Sequence, residues 1–253
     1  ILKQLSTLCL CVTVVSATYA NAGELAIVID DLGHNLARAQ RVIDLPGRFT
    51  LGLLPFAPAS VSIAHAAHAA GHEVILHQPM EPERLREARE EIGTLKRAML
   101  DSEFEALLAA SVKAIPRIRG VSNHTGSLLT ADEASMRRLM SSLTETGLYF
   151  LDSRTSSHTV AHRVARTLDV PTIARDVFLD HKPTIEHVHQ QFARALRIMH
   201  LRGHVVVVGH PHVVTLRFLE SRLSNLPSGT RLRLVSELID HSTMTVAVNA
   251  AME

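Results

Sequence analysis

Short apolar runs alternate with longer segments of helical periodicity along most of the chain. Runs rich in Val, Ile and Leu predict strands, and segments whose apolar positions recur every three or four residues predict helices. The predicted strands are 25–29, 49–54, 73–77, 118–122, 148–152, 172–174, 205–209 and 231–235, and the predicted helices lie near 35–44, 60–71, 102–114, 131–146, 158–168, 184–201 and 212–224.

This alternation predicts an α/β fold with a parallel sheet covered by helices, because nearly continuous apolar strands are typical of sheets buried on both faces. Seven or eight such units favour an irregular (β/α) barrel, with parallel strands surrounded by helices, over an open doubly wound sheet. No Gly-rich dinucleotide-binding pattern follows the first strand, which is a further argument against an open doubly wound sheet. Residues 23–253 contain no repeat or linker and are expected to form a single domain.

The first 22 residues differ from the rest of the sequence. They contain one Lys, no acids, an apolar centre and small residues before a possible cleavage point after Ala20 or Ala22. This pattern predicts a secretory signal peptide, and hence a periplasmic or other extracytoplasmic location, without an integral membrane domain in the mature chain. A buried N-terminal helix and a retained membrane anchor are the alternatives. Both cysteines, Cys9 and Cys11, lie in this segment, so the mature chain would hold no disulfide.

Charge and composition narrow the classes of partner. Without the first 22 residues, whose one cation is Lys3, the chain has 25 basic and 25 acidic residues. A formally neutral surface does not support a nucleic-acid partner. The chain is 46% hydrophobic but only 4% aromatic, so its core is aliphatic, and its 16 histidines all follow residue 33.

Acids and histidines stand at the ends of six predicted strands. In a parallel (β/α) barrel the carboxyl ends of the strands meet on one face, where sites are built. Collecting carboxylates and imidazoles on one face is unfavourable unless a divalent cation compensates, and mixed Asp and His ligation suits zinc. The residues concerned are Asp30 and Asp31, His77, Asn123 and His124, Asp152, then Arg175, Asp176 and Asp180, and finally His210.

Each main candidate also has a structural interpretation. Asp31 could cap the helix that begins near His34, His77 could be a satisfied buried histidine, and His124 could serve a turn. His210 could cap the helix near residue 212. The Glu- and Arg-rich interruption at 78–100 is interpreted either as a surface insertion or lid near the mouth of the barrel, or as a solvated helix.

The ordered motifs resemble the divergent polysaccharide deacetylase family, a branch of the NodB-homology polysaccharide deacetylase superfamily. The resemblance implies a distorted (β/α) barrel of NodB type and an extracytoplasmic setting. It is carried by six stretches that span nearly all of the predicted mature chain: IVIDDLG (27–33), GHEVILHQPMEP (71–82), SNHTGS (122–127), FLDSRT (150–155), RDVFLD (175–180) and GHVVVVGHP (203–211).

The resemblance also implies roles for individual residues. Asp30 would be the general base, Asp31 and His77 metal ligands, and His210 the general acid. His124 would supply the remaining imidazole ligand to zinc. The implied reaction is zinc-assisted hydrolysis of the acetamide of an N-acetylated glycan or peptidoglycan-like substrate, in which the metal activates water.

The sequence departs from the superfamily pattern in its second and third motifs. Glu81 stands where the superfamily has a second histidine, so Glu81 could ligate or orient, and SNHTGS replaces an Arg-Pro-rich turn. Asp152 is expected to orient His210 and fix its tautomer. The alternative function is a non-catalytic periplasmic glycan- or protein-binding module that keeps the barrel, with or without the metal.

Overall fold

A computed structural model describes residues 23–84 and 91–239. One sheet of parallel strands has the order β6-β5-β4-β3-β2-β1-β8-β7, and β9 pairs with the first residues of β1. The strands are β1 (Glu24–Leu32), β2 (Thr50–Leu53), β3 (Glu73–Met80), β4 (Gly120–Thr125), β5 (Tyr149–Asp152), β6 (Thr172–Ala174), β7 (Val177–Phe178), β8 (His204–Gly209) and β9 (Arg231–Arg233).

The helices follow the strands in sequence and cover the outer face of the sheet. Their ends carry ordinary signals: the Thr184 hydroxyl caps α6 by accepting from the His187 amide, and Gly203 ends it in a left-handed conformation. The helices are α1 (Leu36–Ile43), α2 (Ser60–Ala69), α3 (Asp101–Ala114), α4 (Glu133–Thr144), α5 (Ala161–Thr167), α6 (Ile185–Arg202) and α7 (Val213–Arg222).

The predicted parallel (β/α) barrel is confirmed, in the form of an open barrel. Among the described strands, β6 and β7 are the two edges and do not pair with each other. The chain passes from one edge to the other through Arg175 and Asp176, without a helix. The Arg175 amide donates to the Asp152 carbonyl on β5, and the Asp176 amide donates to the Val206 carbonyl on β8.

Two apolar cores lie on the two faces of the sheet. Along β1, Leu25, Ile27 and Ile29 belong to the outer core under the helices, whereas Ala26 and Val28 belong to the inner core. This is the alternation expected of a strand. Residues 235–239, a short helical turn, complete the inner core with three apolar side chains: Val235, Leu238 and Ile239.

Two strand boundaries differ from the prediction and affect the site. Strand β3 continues to Met80, so the interruption predicted at 78–100 begins later, and Leu95 pairs with Met80 as an isolated bridge. Strand β4 extends to Thr125 and therefore includes His124. Pairing between the ends of these two strands overrides the turn-like composition of residues 122–127, since Pro79 is opposite His124.

The predicted signal peptide, with its two cysteines, lies outside the described residues. Among the helices of residues 23–84 and 91–239, none combines the length and hydropathy that crossing a bilayer requires. The single-domain boundaries 23–253 stay a prediction.

Candidate metal centre

The carboxyl ends of four strands place histidines and acids around one point. Asp30 and Asp31 come from the end of β1, His77 from β3 and His124 from β4. His210 directly follows β8. These five residues were predicted to share a site because they follow apolar runs, and the structure brings them together.

The backbone of β1 is distorted at Asp31. Its φ angle is 59°, in the left-handed region, and the pairing register with β2 shifts between Ile29 and Leu32. Such a conformation is uncommon for a residue other than glycine and concentrates at functional sites. As a result both acids reach His77: its Nδ1 lies 3.6 Å from Asp30 Oδ1, and its Nε2 lies 3.1 Å from Asp31 Oδ1.

Asp31, His77 and His124 form a group that could hold a metal ion. One ligand atom from each lies within 4.8 Å of the others. His77 Nε2 and His124 Nδ1 are 3.1 and 2.8 Å from Asp31 Oδ1. A tetrahedral zinc ion with ligands at ~2.1 Å keeps those ligands about 3.4 Å apart, so a small opening of the group would admit it. Two imidazoles and one carboxylate also leave a fourth position open, as in catalytic zinc sites.

Within this group, Asp31 and His124 carry opposite charges. Burial alone would raise the pKa of Asp31, but hydrogen bonds from His124 and His77 hold it well below its usual range. Burial also disfavours the His124 cation, yet its hydrogen bond to Asp31 raises the pKa of His124. A metal would have to displace that proton, so its affinity would rise with pH.

Ser122 fixes the orientation of His77. Its hydroxyl Oγ lies 2.7 Å from His77 Nδ1, and the Ser122 side chain is completely buried. This contact leaves Nε2 of His77 facing Asp31. A polar partner on the second ring nitrogen is the usual companion of a metal-binding histidine. Ser122 was not predicted as a site residue, although the alternation along β4 puts Ser122 on the same face of the strand as His124.

Asp30 is a buried carboxylate with an unsatisfied oxygen. The residue is 1% exposed, and its Oδ1 has no hydrogen-bond partner among the described residues. Space for it exists only because Gly52 on β2 has no side chain, since a Cβ at residue 52 would overlap Asp30 Oδ1. Burial raises the pKa of Asp30, while His77 and His210 oppose the rise. A raised pKa and a free oxygen are properties that a general base needs.

His210 is oriented by Asp180, and the prediction that Asp152 orients it is wrong. Asp180 accepts from Nδ1 of His210 at 2.9 Å and from its backbone amide at 2.8 Å. The Thr215 hydroxyl completes the arrangement by donating to Asp180 at 2.6 Å. Burial alone would lower the pKa of His210, but the bond to Asp180 raises that pKa to about 9. The pKa of Asp180 is lowered by the same bond, against the effect of its burial.

Asp152 makes no contact with His210 among the described residues. Four strands separate β5 from β8, whereas β7, which precedes Asp180, pairs directly with β8. The Asp152 carboxylate accepts from the Arg154 amide at 2.9 Å and the Thr159 hydroxyl at 3.1 Å. Asp152 therefore holds the turn after β5, and its hydrogen bonds to described residues do not reach the metal group.

A second group of possible ligands consists of Asp180, His210 and His212. Both oxygens of Asp180 already accept hydrogen bonds from His210, and one also accepts from Thr215. Asp180 thus serves His210 rather than an ion. The remaining atom that faces the metal group is Nε2 of His210, which lies 3.6 Å from Asp31 Oδ2.

The alternatives left open by the sequence can now be decided for three residues. Asn35, not Asp31, caps α1, since its Oδ1 accepts from the Arg38 amide at 2.9 Å. His210 does not cap α7, whose N-cap residue is His212. Glu81 accepts from the Arg97 amide at 2.8 Å and belongs to neither possible metal group of the described residues. It holds the loop that returns to β3.

The sequence pattern of divergent polysaccharide deacetylases matches residues 27–239, so the chain belongs to that family. The chain is 36% identical over 219 residues to the uncharacterized protein YibQ of Escherichia coli K12, a match that covers 87% of this chain and 68% of YibQ.

Two solved structures share the fold. The uncharacterized protein ATU2773 from Agrobacterium tumefaciens C58 superposes with a TM-score of 0.76 and 24% identity, covering 81% of this chain and 83% of that one. The peptidoglycan deacetylase PdaC from Bacillus subtilis superposes with a TM-score of 0.53 and 13% identity, covering 92% and 98%. The predicted NodB-type (β/α) barrel is thereby confirmed.

Proposed function

We propose that this protein is a zinc-dependent hydrolase that removes N-acetyl groups from a glycan of the cell envelope. The observation that carries the proposal is the arrangement of Asp31, His77 and His124, with the free carboxylate of Asp30 and the imidazole of His210 beside it. The family of the chain and the activity named for PdaC support the choice of an acetylated glycan as substrate.

Asp31, His77 and His124 would hold the ion. A bound zinc ion lowers the pKa of water and polarises the acetamide carbonyl. Asp30 accepts a proton from the attacking water through Oδ1, the oxygen that has no partner in the structure. The closed environment around Asp30, which is 1% exposed, keeps its charge from being screened by solvent.

His210 donates a proton to the departing sugar amine. Its pKa of about 9 keeps the imidazole protonated at neutral pH, as a general acid requires. Asp180 keeps that proton donor in place, because its bond to Nδ1 turns Nε2 toward the metal group. Base and acid thus lie at the same metal group and handle different protons, one taken from the water and one given to the amine.

The proposed setting is the periplasm or another extracytoplasmic space. The support is the composition of residues 1–22, which is typical of a signal peptide. Envelope glycans are accessible from that side of the membrane.

A binding module that has lost catalysis is the second candidate. It is favoured by Glu81, which stands at the position of a superfamily histidine and is engaged in holding a loop. The two candidates share the fold, so turnover on an acetylated glycan separates them.

Metal analysis combined with an acetate-release assay tests the proposal. The purified protein is expected to contain one zinc ion per chain and to release acetate from chitooligosaccharides or peptidoglycan fragments. Asp31→Asn should lose the zinc, whereas Asp30→Asn should keep the zinc and lose acetate release. Zinc without turnover on any acetylated glycan would favour the binding module, and an intact fold without metal would reject the zinc-dependent hydrolase and the ligand assignment.

A further inference from the structure

Arg175 lies in the link between the two edge strands, at the mouth of the barrel. Its Nε donates to the Ser153 carbonyl at 2.6 Å, and its Nη2 donates to the Arg154 carbonyl at 2.9 Å. Both acceptors belong to the turn directly after β5, where Arg154 adopts a left-handed backbone with φ 49°. The guanidinium is therefore fixed in place by backbone atoms rather than by a carboxylate.

Arg175 forms no ion pair within the described part of the chain, and both N–H groups on Nη1 make no hydrogen bond there. Burial, helped by repulsion from Arg154, lowers the pKa of Arg175, and the charges of Asp152 and Asp30, which act from beyond ion-pair distance, oppose the shift only in part. A partly desolvated cation without an anion is unfavourable, and a ligand that supplies the anion relieves the cost.

A single aromatic ring separates this cation from the proposed proton donor. The Cζ atom of Arg175 stands 4.9 Å from the centre of the Phe178 ring, and the rings of Phe178 and His210 are 5.1 Å apart. Ser153, on the turn that holds Arg175, has a buried hydroxyl without a partner in the described structure. The guanidinium of Arg175 thus lies against the carbonyl of a residue whose hydroxyl has no partner among the described residues, with Phe178 between the cation and His210.

We infer that Arg175, with the neighbouring Ser153 and Arg154, forms a subsite for a carboxylate carried by the acetylated glycan. The inference rests on the proposed function, whose site defines where the acetamido sugar lies. An arginine fixed by backbone carbonyls presents its remaining N–H groups in one orientation, and a planar carboxylate can accept two of them at once. The substrate class becomes an acidic N-acetylated glycan, such as one with a lactyl ether, rather than a neutral chitin-like chain.

Equilibrium binding tests the subsite independently of hydrolysis. The probes are the disaccharide of N-acetylglucosamine and N-acetylmuramic acid, its methyl ester, and neutral N,N′-diacetylchitobiose. They are titrated calorimetrically into the zinc-loaded protein carrying Asp30→Asn, which is expected to hold the metal without turnover, and every variant below is compared in this background. We expect the acid to bind at least about tenfold more tightly than the ester, as one charge-assisted bidentate contact would give. Raising the salt concentration should weaken only the binding of the acid.

Variants at Arg175 and at a distant arginine separate recognition from folding. Arg175→Gln should bind acid and ester equally while keeping the affinity for the neutral disaccharide, and Arg175→Lys should retain part of the preference. Arg163→Gln is the matched control, because Arg163 is exposed and pairs with Glu133 on the outer helices. It should leave the preference unchanged.

The outcomes are distinct from those of the proposed function. Equal binding of acid and ester by the protein with Arg175 intact would overturn the subsite, even if acetate release is observed without the Asp30→Asn change. So would an Arg175→Gln variant that weakens all three probes alike, since that result would mean a purely structural role. A preference for the acid without acetate release would keep the subsite and reject the hydrolase.

Discussion

Asp180 accepts two hydrogen bonds from His210: one carboxylate oxygen accepts from the ring Nδ1 at 2.9 Å, and the other accepts from the backbone amide at 2.8 Å. The contact sets both the direction of the imidazole and its charge. It joins a residue that follows β7 to a residue that follows β8, the strand paired with β7.

The first prediction concerns the pH dependence of hydrolysis in Asp180→Asn. A pKa raised to about 9 means that His210 loses its proton, and with it the acid function, as the pH rises through 9. The asparagine keeps a hydrogen-bond acceptor but removes the negative charge, so the alkaline limb of kcat/KM should move down by about one pH unit or more. A pH profile of kcat/KM measures the shift.

The control for that profile is Asp176→Asn. Asp176 is also an acid on the link region, but it pairs with Arg202 and accepts from the Val206 amide, away from His210. The alkaline limb of the kcat/KM profile of Asp176→Asn should lie at the same pH as in the unmodified protein. An unmoved limb in Asp180→Asn would mean that His210 does not act as the acid.

Ser122→Ala is predicted to weaken metal binding without touching a ligand. Loss of the 2.7 Å contact frees the His77 ring to rotate and change tautomer, and such partners typically contribute 10- to 100-fold to affinity. Competition with a chelating dye measures the zinc affinity directly. Ser111→Ala is the matched control, since Ser111 is equally buried but its hydroxyl has no partner in the described structure. Equal affinities in the two variants would contradict the role of Ser122.

Gly52→Ala should remove hydrolysis while zinc stays bound. The added methyl group would overlap Asp30 Oδ1 and push the carboxylate from its place, at a cost of about 1–3 kcal/mol in the free energy of unfolding. Acetate release, zinc content and urea unfolding are measured on the same sample.

Gly147→Ala provides the comparison. A Cβ there meets open space, and only the φ angle of +69° opposes it. The variant should lose about 1 kcal/mol of unfolding free energy and keep full activity. Full activity in Gly52→Ala as well would show that the position of Asp30 is unimportant for the reaction.

Asn35→Ala is predicted to lower the free energy of unfolding by about 1 kcal/mol, the usual cost of losing an N-cap. Its Oδ1 accepts from the Arg38 amide at the start of α1, so the metal group is untouched. Thermal or urea unfolding gives the stability, and zinc content and acetate release should equal those of the unmodified protein. Loss of zinc here would instead tie the helix start to the metal group.

The strand ends could be located from sequence because the physics there is simple. An apolar run followed by an acid or a histidine marks the carboxyl end of a buried strand, and parallel strands bring such ends together. Such strand ends predict Asp31, His77 and His124 on one face together with seven other residues, and the resemblance to the family singled these three out as metal ligands. It also expected Asp30 and His210 nearby, as the structure shows.

The partner of His210 could not be predicted in the same way. Asp152 and Asp180 both follow short apolar runs, and choosing between them requires the strand order and the register of β7 against β8. β7 has only two residues, too few to show a period of two. The need for glycine at residue 52 could not be predicted either, because it depends on Asp30 Oδ1, which lies opposite on the neighbouring strand.

The left-handed backbone of Asp31 has a consequence for anyone who would rebuild this centre elsewhere. On a regular strand two consecutive side chains point to opposite faces, so an Asp-Asp pair could give only one carboxylate to a common ligand sphere. Here the left-handed φ angle of Asp31, with the register shift beside it, brings the carboxylate of Asp31 to the same side of the strand as that of Asp30. Grafting the side chains onto an ideal strand would therefore reproduce the residue types but separate the two carboxylates. The left-handed backbone at the second aspartate has to be grafted with them.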